Sequence, residues 1–313
     1  NVVDKIYIGL IPEVVTTTLP VVGLCFPIIS LITAFTYLYG NGGAPLCSME
    51  RGKGNDKEAE HLMGNAFTLL IGTGIVLTII GLIFYKPILY LFGASDDTFP
   101  YAGSYIRIYL LGTVFVMVSV GMNPFINSQG FGNTGMISVL IGAVLNIILD
   151  PVFIFVLNLG VRGAAIATII SQFCSAVWVL VFLTGKRAVL HLKWSCMWLQ
   201  WKRVLRIISL GVSSFIMAFT NSLVQVVCNA TLQVYGGDIY VGVMTVLNSV
   251  RDICTLPVMG ITNGASPVMS FNYGEGAYEK VRKAIRFLTI LCVTYTFAAW
   301  GTLRLFPEPF IRI

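Results

Sequence analysis

Polar and apolar positions along this chain fall into long blocks and do not alternate. Apolar runs occupy 66–84 (AFTLLIGTGIVLTIIGLIF), 105–122, 136–157, 164–183, 207–227 and 283–306, each closed by a polar, Gly-rich or charged turn. A helix rises about 1.5 Å per residue, so each run is long enough to cross a hydrocarbon layer ~30 Å thick. Strands of a membrane barrel would instead be short and alternating. The blocks predict an all-α polytopic membrane protein. Composition agrees: of 313 residues 56% are hydrophobic and 11% charged, whereas a soluble domain is roughly a quarter charged. Lipid must cover most of this surface.

The net charge of +6 does not point to nucleic acid, because the basic residues gather in short loops between spans. One loop holds Arg51, Lys53 and Lys57, a second (185–206) holds Lys186, Arg187, Lys193, Lys202, Arg203 and Arg206, and a third holds Lys280, Arg282, Lys283 and Arg286. Counting spans puts all three on one face, which the positive-inside rule makes cytoplasmic. Trp194, Trp198 and Trp201 mark the second loop as an amphipathic interfacial segment. The expected location is the cytoplasmic (cell) membrane, multi-pass. Seven cysteines are scattered without a CxxC pair, so neither a disulfide framework nor a cysteine metal site is expected. His61 and His191 are far apart, and there is no Walker A or GxSxG motif, so an enzyme or ATP-driven pump lacks support.

The chain repeats itself. NGGAPLCSMERGKG (41–54) and NGASPVMSFNYGEG (263–276) align without a gap, sharing Asn41/Asn263, Gly42/Gly264, Pro45/Pro267, Ser48/Ser270, Gly52/Gly274 and Gly54/Gly276. Phe84/Phe306 and Pro87/Pro309 keep the same 222-residue shift. Such register marks a duplication. Six spans per repeat is an even number, so the halves should be parallel repeats about an axis along the membrane normal. The expected organisation is an N-terminal bundle over 1–184 with a truncated span 1, an amphipathic linker over 185–203, and a partial C-terminal bundle over 204–313 carrying spans 7–9. By this register the counterpart of span 7 starts about 16 residues before Asn1, and the chain is expected to be a fragment of a twelve-span protein.

Ionisable and amide side chains inside spans are costly and usually functional. Asp4 lies in what remains of span 1, with Asn1 on the same face. In LNIILDPVFIF, Asn146 and Asp150 are four apart and share a face of span 5. Pro151 lacks an N–H, which frees the carbonyl of Ile147. Thr168 could add a hydroxyl from span 6, where Ala164, Ala165 and Ala167 permit close approach. These are hard oxygen donors suited to Na⁺ or a proton. Asn221, Gln225, Asn229 and Gln233 form an uncharged stripe on span 7, expected to face a watery lumen. Tyr105 and Gln129 are further cavity-lining candidates, while Arg251 and Asp252 suggest no definite role.

NVVDKIYIG, NGGAPLCSMERGKG, LYLFGASDDTFPYAGSYIRIYLLGT, MNPFINSQGFGNTGM, LNIILDPVFIF, GVRGAAIATIISQ, YGGDIYVGVMTV and NGASPVMSFNYGEGAYEKVRKA together resemble the multidrug and toxic compound extrusion (MATE) family, in its MepA-like bacterial branch. The resemblance covers the whole chain. It implies two six-helix bundles that exchange inward- and outward-facing states. It also implies monomeric, cofactor-free export of amphipathic, often cationic compounds against Na⁺ or H⁺. The family's N-lobe cation site falls on Asp4, Asn146, Asp150 and Thr168, and Tyr105 matches a tyrosine of that lobe. Many relatives carry a glutamate in span 7 where this chain has Asn221, which shifts the expected coupling onto the N lobe. An alternative within the same superfamily is a lipid-linked oligosaccharide flippase, which would favour more arginines in the spans than Arg107 and Arg251.

Overall fold

The computed structural model describes residues 15–305, apart from 93, 95 and 97. Among the described residues there is no strand, and helices follow one another with short breaks: α1 (Val15–Gly52), α2 (Asp56–Leu91), α3 (Phe99–Leu111), α4 (Thr113–Asn127), α5 (Gly132–Pro151), α6 (Val161–Thr184), α7 (Trp201–Glu275) and α8 (Tyr278–Leu305). Among the described residues six helical segments are long and apolar enough to cross a membrane, and α3 with α4, bent by 55°, makes a seventh if counted as one span. The polytopic all-α class follows.

Two elements differ from the sequence pattern. The run 105–122 suggested an unbroken span, but helix stops at Leu111 and restarts at Thr113. The intervening Gly112 abuts the side chain of Ile169 on α6, where any Cβ would collide. A glycine weakens a helix and admits a neighbour at the same point. The Gly-rich turn expected to close the run 207–227 is absent: α7 is helical for 75 residues, through Gly236 and Gly237. At about 1.5 Å per residue that is more than one crossing's worth of chain.

The chain divides into two compact units. One comprises residues up to Cys47 with Asp56–Phe219, the other Ser48–Asn55 with the chain from Thr220 onward. The change of unit falls inside α7, and the segment 185–203 lies within the first unit. In that unit α5 packs on α6, α6 on α3 and α4, and α2 on α3 and α4. Phe125, Leu62, Met63, Leu70, Ile106, Met117 and Met122 fill its centre, while Ile75, Ile79, Ile83 and Phe84 of α2 point outward, as lipid solvent allows.

The linker is fastened to the first turns of α2. Asn65, fully buried, donates to the carbonyls of Cys196 and Trp198 and accepts from the Gln200 N–H at 2.9 Å. Thr68 donates to the Met197 carbonyl at 2.8 Å. Arg203 grips the Glu58 carboxylate with two N–H groups at 3.0 and 2.6 Å, and Lys193 binds Glu60 at 2.7 Å. That hydrogen bond to Glu60 holds the Lys193 ammonium above the ordinary lysine range. The lysine side of the clamp is therefore charged at neutral pH, and what that charge contributes is lost as pH rises through the raised value. Trp194, Trp198 and Trp201 nonetheless stay exposed, as an interfacial segment requires.

The second unit carries the repeat into three dimensions. α1 and α7 end on the same turn: Gly54 at φ +75° and Gly276 at φ +82°, a left-handed conformation that favours glycine. The Asn55 N–H reaches Glu50 O at 2.9 Å, and the Ala277 N–H reaches Asn272 O at 2.9 Å, the same bond 222 positions on. Each motif also touches the other. A Cβ on Gly52 would strike the Phe271 carbonyl, and one on Gly274 would strike the Met49 carbonyl. Met49 and Phe271 are themselves equivalent in the repeat, so the contact is reciprocal.

Gly52→Ala and Gly274→Ala in the full-length protein should each cost about 1–3 kcal/mol through overpacking against backbone. Each should lower the thermal unfolding midpoint in detergent. Gly264→Ala, where a Cβ meets nothing within 4 Å, should leave that midpoint unchanged.

Candidate functional site

Helix α5 buries one narrow stripe and exposes the rest. Gly135, Ser138, Gly142, Asn146 and Asp150 are its buried residues, and the last four recur at every fourth position, on one face. Met136, Val139, Leu140, Val144, Ile147 and Ile148 are exposed. The stripe lies against an equally small face of α6, where Ala164, Ala165, Ala167, Thr168, Ser171 and Ser175 are buried. The Ser175 hydroxyl donates to Ser138 O at 2.9 Å, and a Cβ on Gly142 would sit 2.6 Å from Ser175 Oγ. Small residues let the backbones approach, and hydroxyls bind across the seam.

At the far end of the seam three polar side chains meet. Asp150 has no exposed surface, Asn146 retains 2% and Thr168 8%. Asn146 Nδ2 donates to Asp150 Oδ1 at 3.2 Å and lies 3.5 Å from Thr168 Oγ1, at the outer limit of a hydrogen bond. The Thr168 hydroxyl donates to Ala164 O at 3.0 Å, so toward the cluster it acts as an acceptor. A carboxylate this deep needs a proton, donors or a cation. The donor set is carboxylate, hydroxyl and amide, all hard oxygens if the Asn146 amide turns its oxygen inward. As described, it is the amide nitrogen that faces Asp150.

The backbone beside this cluster is unusual. After Pro151 the helix widens into a π turn over Val152–Val156, with Leu157 N–H bonded to Val152 O at 2.9 Å and Leu159 N–H to Phe153 O at 3.1 Å. Proline supplies no N–H and resists regular α packing, so the surplus residue is absorbed in a wider turn. Asn158 at φ 52° and Gly160 at φ 53° then reverse the chain. Gly163 packs directly on the π turn, where a Cβ would lie 2.6 Å from Phe153 C and O.

The structure thus brings Asn146, Asp150 and Thr168 together. Asp4 lies outside the described residues. Tyr105 is buried in the core of the first unit, its ring stacked on Tyr109 with centroids 6.2 Å apart. Gln129 is placed elsewhere: its Oε1 accepts from Val189 and Leu190 N–H at 2.9 Å each, and its Nε2 donates to Phe125 O. These bonds fasten the linker. Asn221 is exposed and Gln225 half-buried on α7, Arg251 is exposed, and the side chains of Asn229, Gln233 and Asp252 lie outside what is described. Among the described residues no group of three or more His, Cys, Asp or Glu could hold a metal ion. Sequence reading missed Ser138, Gly142 and Ser175, although the four-residue recurrence that singles out Asn146 and Asp150 extends back through the first two.

Comparison with known proteins is consistent across sequence and fold. The MatE family model matches residues 2–152 and 213–313. The chain is 27% identical over 257 residues to "Multidrug export protein MepA" of Staphylococcus haemolyticus, covering 80% of this chain and 56% of that protein. It is 25% identical over 268 residues to "Probable multidrug resistance protein YoeA" of Bacillus subtilis, covering 83% and 58%. The chain therefore spans little more than half the length of these curated relatives. Among solved structures, the MATE multidrug transporter DinF-BH superposes with a TM-score of 0.89 at 31% identity, covering 99% of this chain and 69% of that one. A MOP superfamily transporter from Pyrococcus furiosus gives a TM-score of 0.91 at 25% identity, covering 99% and 68%.

Gly163→Ala should push α6 off the π turn and lower the unfolding midpoint, with an expected cost of about 1–3 kcal/mol. Gly132→Ala, where a Cβ meets nothing within 4 Å, should cost less. A larger loss for Gly132→Ala than for Gly163→Ala would contradict the close packing described.

Proposed function

The chain belongs to the MatE family, and on that footing we propose that it supplies the coupling half of a secondary antiporter. The antiporter exports amphipathic, often cationic compounds from the bacterial cell in exchange for Na⁺ or H⁺. It is a multi-pass protein of the cytoplasmic membrane, and its named relatives are transporters, not enzymes. The reading includes the two-bundle organisation over 1–184 and 204–313, a monomeric working unit, and no cofactor besides the transported ion. Names of multidrug exporters among the relatives do not favour the oligosaccharide flippase.

The observation that carries this reading is the fully buried Asp150 beside Asn146 and Thr168. Proton or Na⁺ entering there neutralises the carboxylate. For Na⁺, rotation of the Asn146 amide would exchange its nitrogen for its oxygen, and Thr168 would offer a lone pair. With the charge satisfied, the α5–α6 seam and the adjoining π turn can adopt a second packing. An ion drives that change only to the extent that it binds one arrangement more tightly than the other. Asp4, matched to the family motif, is assigned to the same site. Asn221, Gln225 and Asn229 are assigned to the substrate path, with Tyr105 contributing from the first bundle.

Asp150→Asn in the full-length protein should abolish ion-coupled dye efflux while leaving expression unchanged. Efflux at the wild-type rate would sink the reading. Thr168→Val should raise the coupling-ion concentration needed for half-maximal efflux by roughly 10–100-fold, the range typical of lost ligand support. Transport in proteoliposomes under separately imposed Na⁺ and pH gradients identifies the ion.

A further inference from the structure

The first unit also holds a cleft that plays no part in the transport reading. It lies at the end of α2 opposite the clamped linker. Its volume is about 460 Å³, and it is lined by Leu82 of α2, by Ser104, Arg107, Ile108 and Leu111 of α3, and by Arg162 in the first turn of α6. One wall is apolar, and two guanidinium groups border it. Both arginines are exposed, and neither forms an ion pair with any carboxylate among the described residues. The Ser104 hydroxyl already donates to Pro100 O at 2.7 Å, so the arginines are the donors available to a ligand.

Aromatic rings place this cleft at headgroup depth. Tyr85 stacks on Phe99 with centroids 6.2 Å apart, and Tyr90 stacks on the same Phe99 at 5.0 Å. Lys86 lies over the Phe99 ring at 5.8 Å, and Arg107 over the Tyr85 ring at 5.8 Å. A cluster of tyrosine, phenylalanine and snorkelling cations marks the lipid–water boundary. Below the two guanidinium groups, Leu111 is 64% exposed and so faces acyl chains. At the boundary a guanidinium keeps its water and also attracts anionic headgroups, by about 1 kcal/mol each. Its fork of N–H donors fits phosphate oxygens two at a time.

We propose that this cleft binds one anionic phospholipid, its phosphate held between Arg107 and Arg162 and its acyl chain lying along Leu82, Ile108 and Leu111. The Arg107–Tyr85 contact pre-orients one guanidinium, and Arg162 at the start of α6 supplies the second. Because α6 also carries Thr168 and Gly163, a bound lipid braces the outer turn of the helix that bears the polar cluster. The proposal stands independently of the transport reading.

Native mass spectrometry of the full-length protein, titrated separately with phosphatidylglycerol, diacylglycerol and inorganic phosphate, tests it. One phosphatidylglycerol should be retained in preference to diacylglycerol, and phosphate should not displace it. Arg107→Gln and Arg162→Gln should each weaken retention roughly fivefold, and the pair about thirtyfold, as expected for surface cations facing an anionic lipid. Should the glutamine pair fail to fold, Leu111→Trp, which fills the apolar wall at unchanged charge, should still reduce retention. Equal retention by wild type and the folded variants would overturn the proposal, as would equal retention of diacylglycerol. Displacement of the lipid by inorganic phosphate would overturn the lipid assignment too, revealing a free-anion site.

Discussion

Hydrocarbon solvent removes the usual reason for hiding apolar side chains, and the first unit is organised by what remains. Against lipid, a leucine gains little by turning inward, whereas a hydroxyl, amide or carboxylate must. α5 therefore reads inside out: Ser138, Gly142, Asn146 and Asp150 are buried, while Val139, Leu140, Val144 and Ile148 are exposed. The seam with α6 is cohesive because its residues are small enough for backbone approach and polar enough to bind across. The buried carboxylate is thus part of the surface that holds two helices together. A change in its charge acts directly on the packing of that pair.

The same constraint decided what could be read from the sequence. Apolar blocks located the spans, since length and composition suffice for that. The spacing of Asn146 and Asp150 placed both on one face before any contact was known, and the alanines of α6 indicated where close approach was possible. The break at Gly112 was not legible, because it depends on Ile169 from another helix filling the space a side chain would occupy. Nor was the fastening of the linker: Gln129 and Asn65 look like ordinary polar residues until their partners, 61 and 135 positions away, are in view. The π turn was half legible. Pro151 announced a disturbed ladder, but the widening falls on the five residues after it. Asp4 falls outside the described residues, so its place beside the others rests on the motif.

Regions of charge divide along the same lines. At the linker end, carboxylates on α2 meet arginine and lysine directly, and the loop is held by named pairs. At the opposite end Arg107 and Arg162 are exposed, Arg107 over the Tyr85 ring, and neither is ion-paired among the described residues. One end of the bundle satisfies its cations from within, and at the other they stay open to what surrounds the protein.

The reciprocal contact of Gly52 with Phe271 and of Gly274 with Met49 carries a consequence for ancestry. Because each half of that contact maps onto the other under the repeat, two copies of a single unduplicated chain, inserted in the same orientation, would satisfy it identically. An even number of spans per repeat, as the sequence register suggests, would preserve that orientation. Fusing such a homodimer changes nothing at this contact, yet it frees each copy to diverge elsewhere.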